Sequence, residues 1–148
     1  MSGGALQSWQ AHWQFWALLS AVFAALTAIF AKVGVEAVNA DLATLIRTCV
    51  ILVTLALIVV MSGQWQAPGS ISGRTWLFLV LSGLATGASW LCYFRALKAG
   101  QAAQVAPVDK LSVVLVAIFG VVFLGETLSA RGWIGVTLVG AGAVLLAW

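Results

Sequence analysis

The chain has 148 residues, of which 63% are hydrophobic and 7% charged, and its mean hydropathy is +1.10. Soluble domains carry about a quarter charged residues, so no polar coat is available here for a water-facing surface, and lipid must solvate most of the chain. The net charge of +3 and pI near 9.3 do not imply nucleic acid, because no basic cluster alternates with exposed aromatics. A modest lysine and arginine excess near the ends of membrane spans gives the same values.

A membrane-crossing helix needs about 20 apolar residues. Five such stretches, joined by tight turns, account for the chain and predict an all-α integral membrane bundle of five transmembrane helices. Residues 1–15 read as an interfacial segment whose Trp9 and Trp13 suit the headgroup layer. That lead contains no lysine or arginine, and the apolar stretch behind it is too long for a signal core, so helix one is expected to remain in the membrane. Residues 16–148 then form a single transmembrane domain. Helix one covers about 16–35, and a short turn from Glu36 to Asp41 leads to helix two at about 42–61. The one long connection, Ser62 to Arg74, carries the breakers Gly63, Pro68, Gly69 and Gly73. Helix three follows at about 75–99, with Gly100 as its C-cap. Helix four is predicted over 104–124 with Pro107 in its first turn, and helix five over 130–148.

Small residues mark the expected packing faces. Helix three carries Gly83-x-x-x-Gly87, helix one Ser20, Ala24 and Ala28, and helix five Gly135 and Gly142. All three predict helix packing within the chain rather than a dedicated dimer seam. Cys49 and Cys92 fall inside spans and read as small packing residues.

An odd number of spans puts the two termini on opposite sides. Call the N-terminal side A and the other side B. Side B collects Lys32, Glu36, Asp41, Arg47, Arg95, Lys98, Asp109 and Lys110, leaving Arg74, Glu126 and Arg131 on side A. Arg47 lies about 8 Å into helix two at 1.5 Å per residue, and Asp109 and Lys110 lie at similar depth in helix four. Charged groups at such depth face water-filled cavities or one another, which predicts a polar vestibule entering from side B. Arg95 and Asp109 are expected at similar height. Arg47 could instead clamp the bundle by pairing with Asp109 or a carbonyl, and Lys32 and Lys98 could snorkel to the headgroups. Adjacent positions diverge by about 100° on a helix, so Asp109 and Lys110 do not both face one partner, and at most one of them is expected to face the cavity. Asp109 is the candidate proton-coupling site, since a carboxylate partly withdrawn from water is a natural proton carrier. Glu126 reads as a cap on helix five. Ser82, Thr86, Ser89, Trp90 and Tyr93 form a polar and aromatic stripe on helix three that runs towards Arg95. The stripe is read as the lining of a substrate path.

His12 is the only histidine and lies outside the spans, so neither a His-based metal site nor a catalytic triad is available. No carboxylate pair shares a helix face. The expectation is therefore no enzyme, no cofactor and no metal.

The segments Tyr93-Phe94-Arg95-Ala96-Leu97-Lys98-Ala99-Gly100, Val105-Ala106-Pro107-Val108-Asp109-Lys110-Leu111-Ser112 and Phe123-Leu124-Gly125-Glu126 resemble the EamA family of the drug/metabolite transporter superfamily. Ala31-Lys32-Val33-Gly34 and Arg47 fit the same pattern. Most members of that family have ten helices, built as two such units in opposite orientation around a central cavity. This chain resembles the short, five-helix branch, a half-transporter. It differs from many longer members at Val113, where they carry proline, and at Asp109-Lys110, where they carry small or apolar residues.

The resemblance implies a multi-pass protein of the bacterial inner (cytoplasmic) membrane that exports amino-acid-like or organic-acid substrates by alternating access. An isolated odd-numbered unit recovers the inverted repeat by pairing with an inverted copy, which makes an antiparallel homodimer the leading expectation. Short-loop cations permit both insertions, with Arg74 and Arg131 on side A against Lys32, Arg95 and Lys98 at the rim of side B; adding Arg47 and Lys110 favours side B in the cytoplasm. The expected substrate-binding residues are Lys32, Arg47, Trp90, Tyr93, Arg95, Asp109 and Lys110. Rival readings are a non-transporting membrane subunit, half of a heterodimeric transporter, and a lipid-carrier flippase.

Overall fold

The computed structural model describes the backbone of residues 3–147 and the side chains of residues 13–147. Trp9, His12 and Trp148 lie outside the described side chains. Among the described residues all regular structure is helical. The elements are α1 (Gly3–Val35), α2 (Ala40–Met61), a single 3-10 turn at Pro68–Ser70, α3 (Gly73–Ala99), α4 (Ala102–Asp109), α5 (Ser112–Leu124) and α6 (Ala130–Ala147). Since α4 and α5 together make one span, five spans of membrane length result. α1 runs unbroken from the lead into its span, whose apolar, membrane-length part is Trp13–Val35.

Helix starts fall two residues earlier than apolar periodicity suggests because polar caps set them. Asn39 Oδ1 accepts from the amides of Asp41 and Leu42 at 2.8 and 3.3 Å, opening α2. Ser72 Oγ accepts from the Thr75 amide at 3.2 Å, opening α3. First-turn amides have no intrahelical partner, so each cap satisfies donors that lipid cannot.

The fourth span departs from the expected continuous helix. It begins at Ala102, which puts Pro107 in the second turn rather than the first. Beyond Asp109 the ladder tightens: Leu111 donates to Val108 O, Val113 to Lys110 O and Val114 to Leu111 O, each three residues back. Proline removes a donor and crowds the preceding turn, and the chain restarts as α5 after Lys110-Leu111. The span ends on Gly125, whose φ of +68° is left-handed. The amides of Gly125 and Glu126 both donate to Gly120 O. Glu126 folds back over Gly120, its Oε2 within 2.6 Å of where a Cβ would sit. Glu126 therefore seals the end of α5. The cap of α6 is Ser129, whose Oγ accepts from the Gly132 amide at 3.2 Å.

Packing concentrates at side B. Val35 and Leu97 are wholly buried there, beside Ala31, Ala40 and Phe94, and this cluster joins the end of α1, the start of α2 and the end of α3. α3 packs against α1, α2 and α4, while α6 packs on α4 and α5. Towards side A the helices leave large apolar side chains exposed, among them Leu52, Leu57, Phe78 and Leu84. Between lipid-solvated helices the hydrophobic effect supplies no drive, so contact persists only where shape and polar bonds hold it.

Three polar clasps do so. Lys32 of α1 donates to Leu97 O and Gly100 O at 2.9 and 3.0 Å, capping the C-terminus of α3. Arg95 grips Asp41 with two bonds, Nε to Oδ1 at 2.9 Å and Nη2 to Oδ2 at 2.8 Å. Lys98 donates to Val38 O in the turn between α1 and α2.

The small-residue faces behave differently from expectation. A Cβ at Gly83, Gly87, Gly135 or Gly142 would meet nothing within 4 Å, so these glycines do not mediate packing within the chain. Packing in α6 is instead carried by Gly140, where a Cβ would lie 3.1 Å from Val114 Cγ2, and by the buried Ala143. Ala28 alone of the α1 set is buried, and Cys49 and Cys92 are both exposed rather than packed.

Two outcomes are expected in thermal unfolding of detergent-purified protein. Gly125→Val, forced into a left-handed conformation, destabilises by about 1–2 kcal/mol, while Gly120→Ala is tolerated because the free end of Glu126 swings aside. Lys32→Met strips the α3 carbonyls of their cation and costs about 1–2 kcal/mol, more than Lys98→Met at its exposed position.

Candidate substrate chamber

Above the side B clasps, α1, α2, α3 and α4 surround a chamber of about 180 Å³. α1 contributes Ala24 and Thr27, α2 contributes Arg47, α3 contributes Ser89, Trp90 and Tyr93, and the end of α4 contributes Asp109, followed by its capping residue Lys110. Each arrives by helical spacing: Ser89, Trp90 and Tyr93 lie within about one turn on the face of α3 turned to α1 and α4. The α4 break presents Asp109 and Lys110 at the opposite wall.

The Arg47 guanidinium lies over the Trp90 ring, with Cζ 4.2 Å from the centroid, and is 5.5 Å from the centroid of Phe94. A guanidinium stacked on an aromatic face is held by its plane, leaving the N–H edge available for a planar anion. Among the described residues Arg47 has neither an ion pair nor a hydrogen-bonded acceptor. The expected alternatives, pairing with Asp109 or with a carbonyl, are not what is seen. Asp109 instead takes its neighbour, with Lys110 Nζ to Oδ2 at 2.9 Å. Both side chains line the chamber, against the expectation that at most one would, at the point where the helix ladder tightens to bonds three residues back.

Of the seven residues singled out in the sequence, five share the chamber: Arg47, Trp90, Tyr93, Asp109 and Lys110. Lys32 and Arg95 do not line it. Lys32 is spent on the α3 carbonyls and Arg95 on Asp41. Of the α3 stripe, only Ser89, Trp90 and Tyr93 line the chamber. Ser82 and Thr86 lie outside it, and the Thr86 hydroxyl donates to Ser82 O of its own helix at 2.8 Å. Thr27 escaped notice in the sequence. Its only signal is a hydroxyl in an otherwise apolar run, and nothing there told which way it faced.

Two larger grooves adjoin the chamber. One, of about 410 Å³, runs along α3, α4 and the end of α6 and shares Ser89, Tyr93 and Asp109 with it; Cys92 and Gln104 lie on its wall. The other, of about 440 Å³, lies between α1 and α2 and shares Thr27 and Arg47 with it. No group of three or more His, Cys, Asp or Glu among the described residues is placed to hold a metal ion.

The chamber thus gathers Arg47, Asp109 and Lys110 from different parts of a five-span bundle, and charges at membrane depth border cavities or one another. The model of the EamA-like transporter family matches residues 11–148. A protein from Sinorhizobium sp., described as an uncharacterized transporter in the cobO 3′ region, is 71% identical over 135 residues, 91% of this chain and 96% of that protein. No solved structure matches the chain. The chain is a multi-pass membrane protein and belongs to the EamA-like transporter family.

Proposed function

We propose that the protein exports small metabolites bearing a carboxylate across the bacterial inner membrane, by alternating access, as an antiparallel homodimer. The observation that carries this reading is Arg47, stacked on Trp90 in a polar chamber with its N–H edge unclaimed. A charge at membrane depth is costly, and an arginine left without a counter-ion there fits an anion that comes and goes. The chamber, at about 180 Å³, falls below the roughly 300–1,000 Å³ of drug-sized pockets. That size suits a small head group and disfavours a bulky lipid carrier.

Asp109 is the coupling group in this scheme. It faces the same chamber, and its bond to Lys110 sits at the break between α4 and α5, where a helix can pivot. Protonating Asp109 would release Lys110 and loosen the hinge, linking proton uptake to a change of access. Trp90 and Tyr93 form the walls that shape the solute. Lys32 and Arg95 act at the rim, closing the side B end of one protomer.

An inverted second copy supplies the other half of the pathway. In support, the Gly83 and Gly87 face of α3 is open, and two backbones approach closely on such a face. The chain also covers nearly the whole length of its Sinorhizobium relative, so a five-span unit is not peculiar to this sequence. The reading of a non-transporting subunit has no comparable observation behind it.

Reconstitution in proteoliposomes tests both charged residues. Arg47→Gln is expected to weaken binding of a transported carboxylate by on the order of tenfold or more, the value of a charge-assisted bidentate contact. Unchanged affinity would assign Arg47 to structure. Asp109→Asn is expected to abolish flux driven by a pH gradient while leaving equilibrium exchange of substrate; pH-driven flux equal to that of the parent protein would remove Asp109 from coupling.

A further inference from the structure

Arg47 belongs to two spaces at once. It lines the polar chamber, and it also lines the groove of about 440 Å³ between α1 and α2. Apart from Arg47 and Thr27 that groove is walled by apolar groups, with Phe30, Ile46 and Phe94 the largest. Its volume lies within the range in which apolar cavities hold compact organic molecules. A cation at the mouth of an apolar slot is complementary to an anion carrying an apolar body, and to little else. Small polar acids would leave the slot empty, and amines would meet Arg47 head-on. The groove on the other side of the chamber has the opposite character, because its charged group is the Asp109 carboxylate.

We infer that the substrates are monocarboxylates bearing a compact apolar group, with the carboxylate on Arg47 and the apolar group in the α1–α2 groove. This assignment rests on the carboxylate reading above and narrows it. Two bidentate N–H bonds orient the head, and the stacked Trp90 and Phe94 rings fix the guanidinium against rotation. Discrimination then lies in the tail, through the area it removes from water. Gly34 lies on the groove wall, and a Cβ there would meet nothing within 4 Å. A larger side chain at that position can fill the slot without disturbing the helices around it.

The test uses the full chain in phosphatidylcholine nanodiscs and four probes: acetate, 3-methylbutanoate, 3-phenylpropanoate and the uncharged 3-phenylpropanamide. Affinity is expected to rise from acetate to 3-phenylpropanoate by on the order of tenfold for each two buried methylene equivalents, and to vanish for the amide. Gly34→Leu should bring 3-phenylpropanoate down to the level of acetate while acetate itself is unaffected. Arg47→Gln should weaken both by on the order of tenfold or more. Equal binding of acetate and 3-phenylpropanoate, or a preference untouched by Gly34→Leu, would overturn the groove assignment and leave the carboxylate reading standing. Binding by no carboxylate would overturn both. An anionic lipid presents the same chemistry, so the series is repeated with phosphatidylglycerol. Displacement of 3-phenylpropanoate by that lipid would reassign the site to a headgroup and overturn the free-acid proposal; undiminished binding supports it.

Discussion

Hydrocarbon offers no partner to a charge, and this one constraint organises the molecule. Every cation drawn into the side B half must be answered from within the protein. Lys32 is answered by two carbonyls at the end of α3, Arg95 by Asp41, Lys98 by Val38 O and Lys110 by Asp109. Those bonds hold the helices together at one end, and the buried cluster of Val35, Phe94 and Leu97 packs beneath them. Arg47 is the exception, answered among the described residues by the faces of two aromatic rings. The transport reading grows from that single imbalance.

The same constraint explains why the bundle is tight at one end and open at the other. Between helices in lipid, polar bonds and close backbone approach replace the hydrophobic effect as glue, and among the described residues the charged side chains that bridge different spans do so at side B. Towards side A the helices expose Leu52, Phe78 and Leu84, with Gly83 and Gly87 facing open space. The fold is therefore clasped at one end, with a span broken at Lys110-Leu111 alongside its chamber.

Much of the architecture was legible because the bilayer imposes a simple length rule. Five apolar runs gave five spans, and the concentration of charge on one side located the polar end. Local chemistry shifted the details. Asn39 and Ser72 moved two helix starts, since caps rather than periodicity end a helix. Pro107 and the charged pair after it split the fourth span, and Gly125 closes it because only glycine sits easily at φ +68°. Of the seven residues singled out by type and depth, five line the candidate chamber. Partner choice was not: charge and height alone could not tell whether Arg95 faced Asp109 or Asp41, because that depends on rotation about each helix axis. Thr27 was hidden for the same reason, and the glycine faces were misread because a small residue does not say which side of a helix meets a neighbour.

Whether water fills the chamber decides whether these charges serve transport or only hold the bundle together. The most direct measurement places a cysteine at Ser89, in a chain whose Cys49 and Cys92 are replaced by alanine, and follows its reaction with a small charged methanethiosulfonate in membrane vesicles. A matching cysteine at Leu84, on an exposed apolar stretch of the same helix, serves as the lipid-facing reference. The account predicts ready modification at position 89 and none at 84. Equal inertness at both positions would mean a dry interior, and would contradict it.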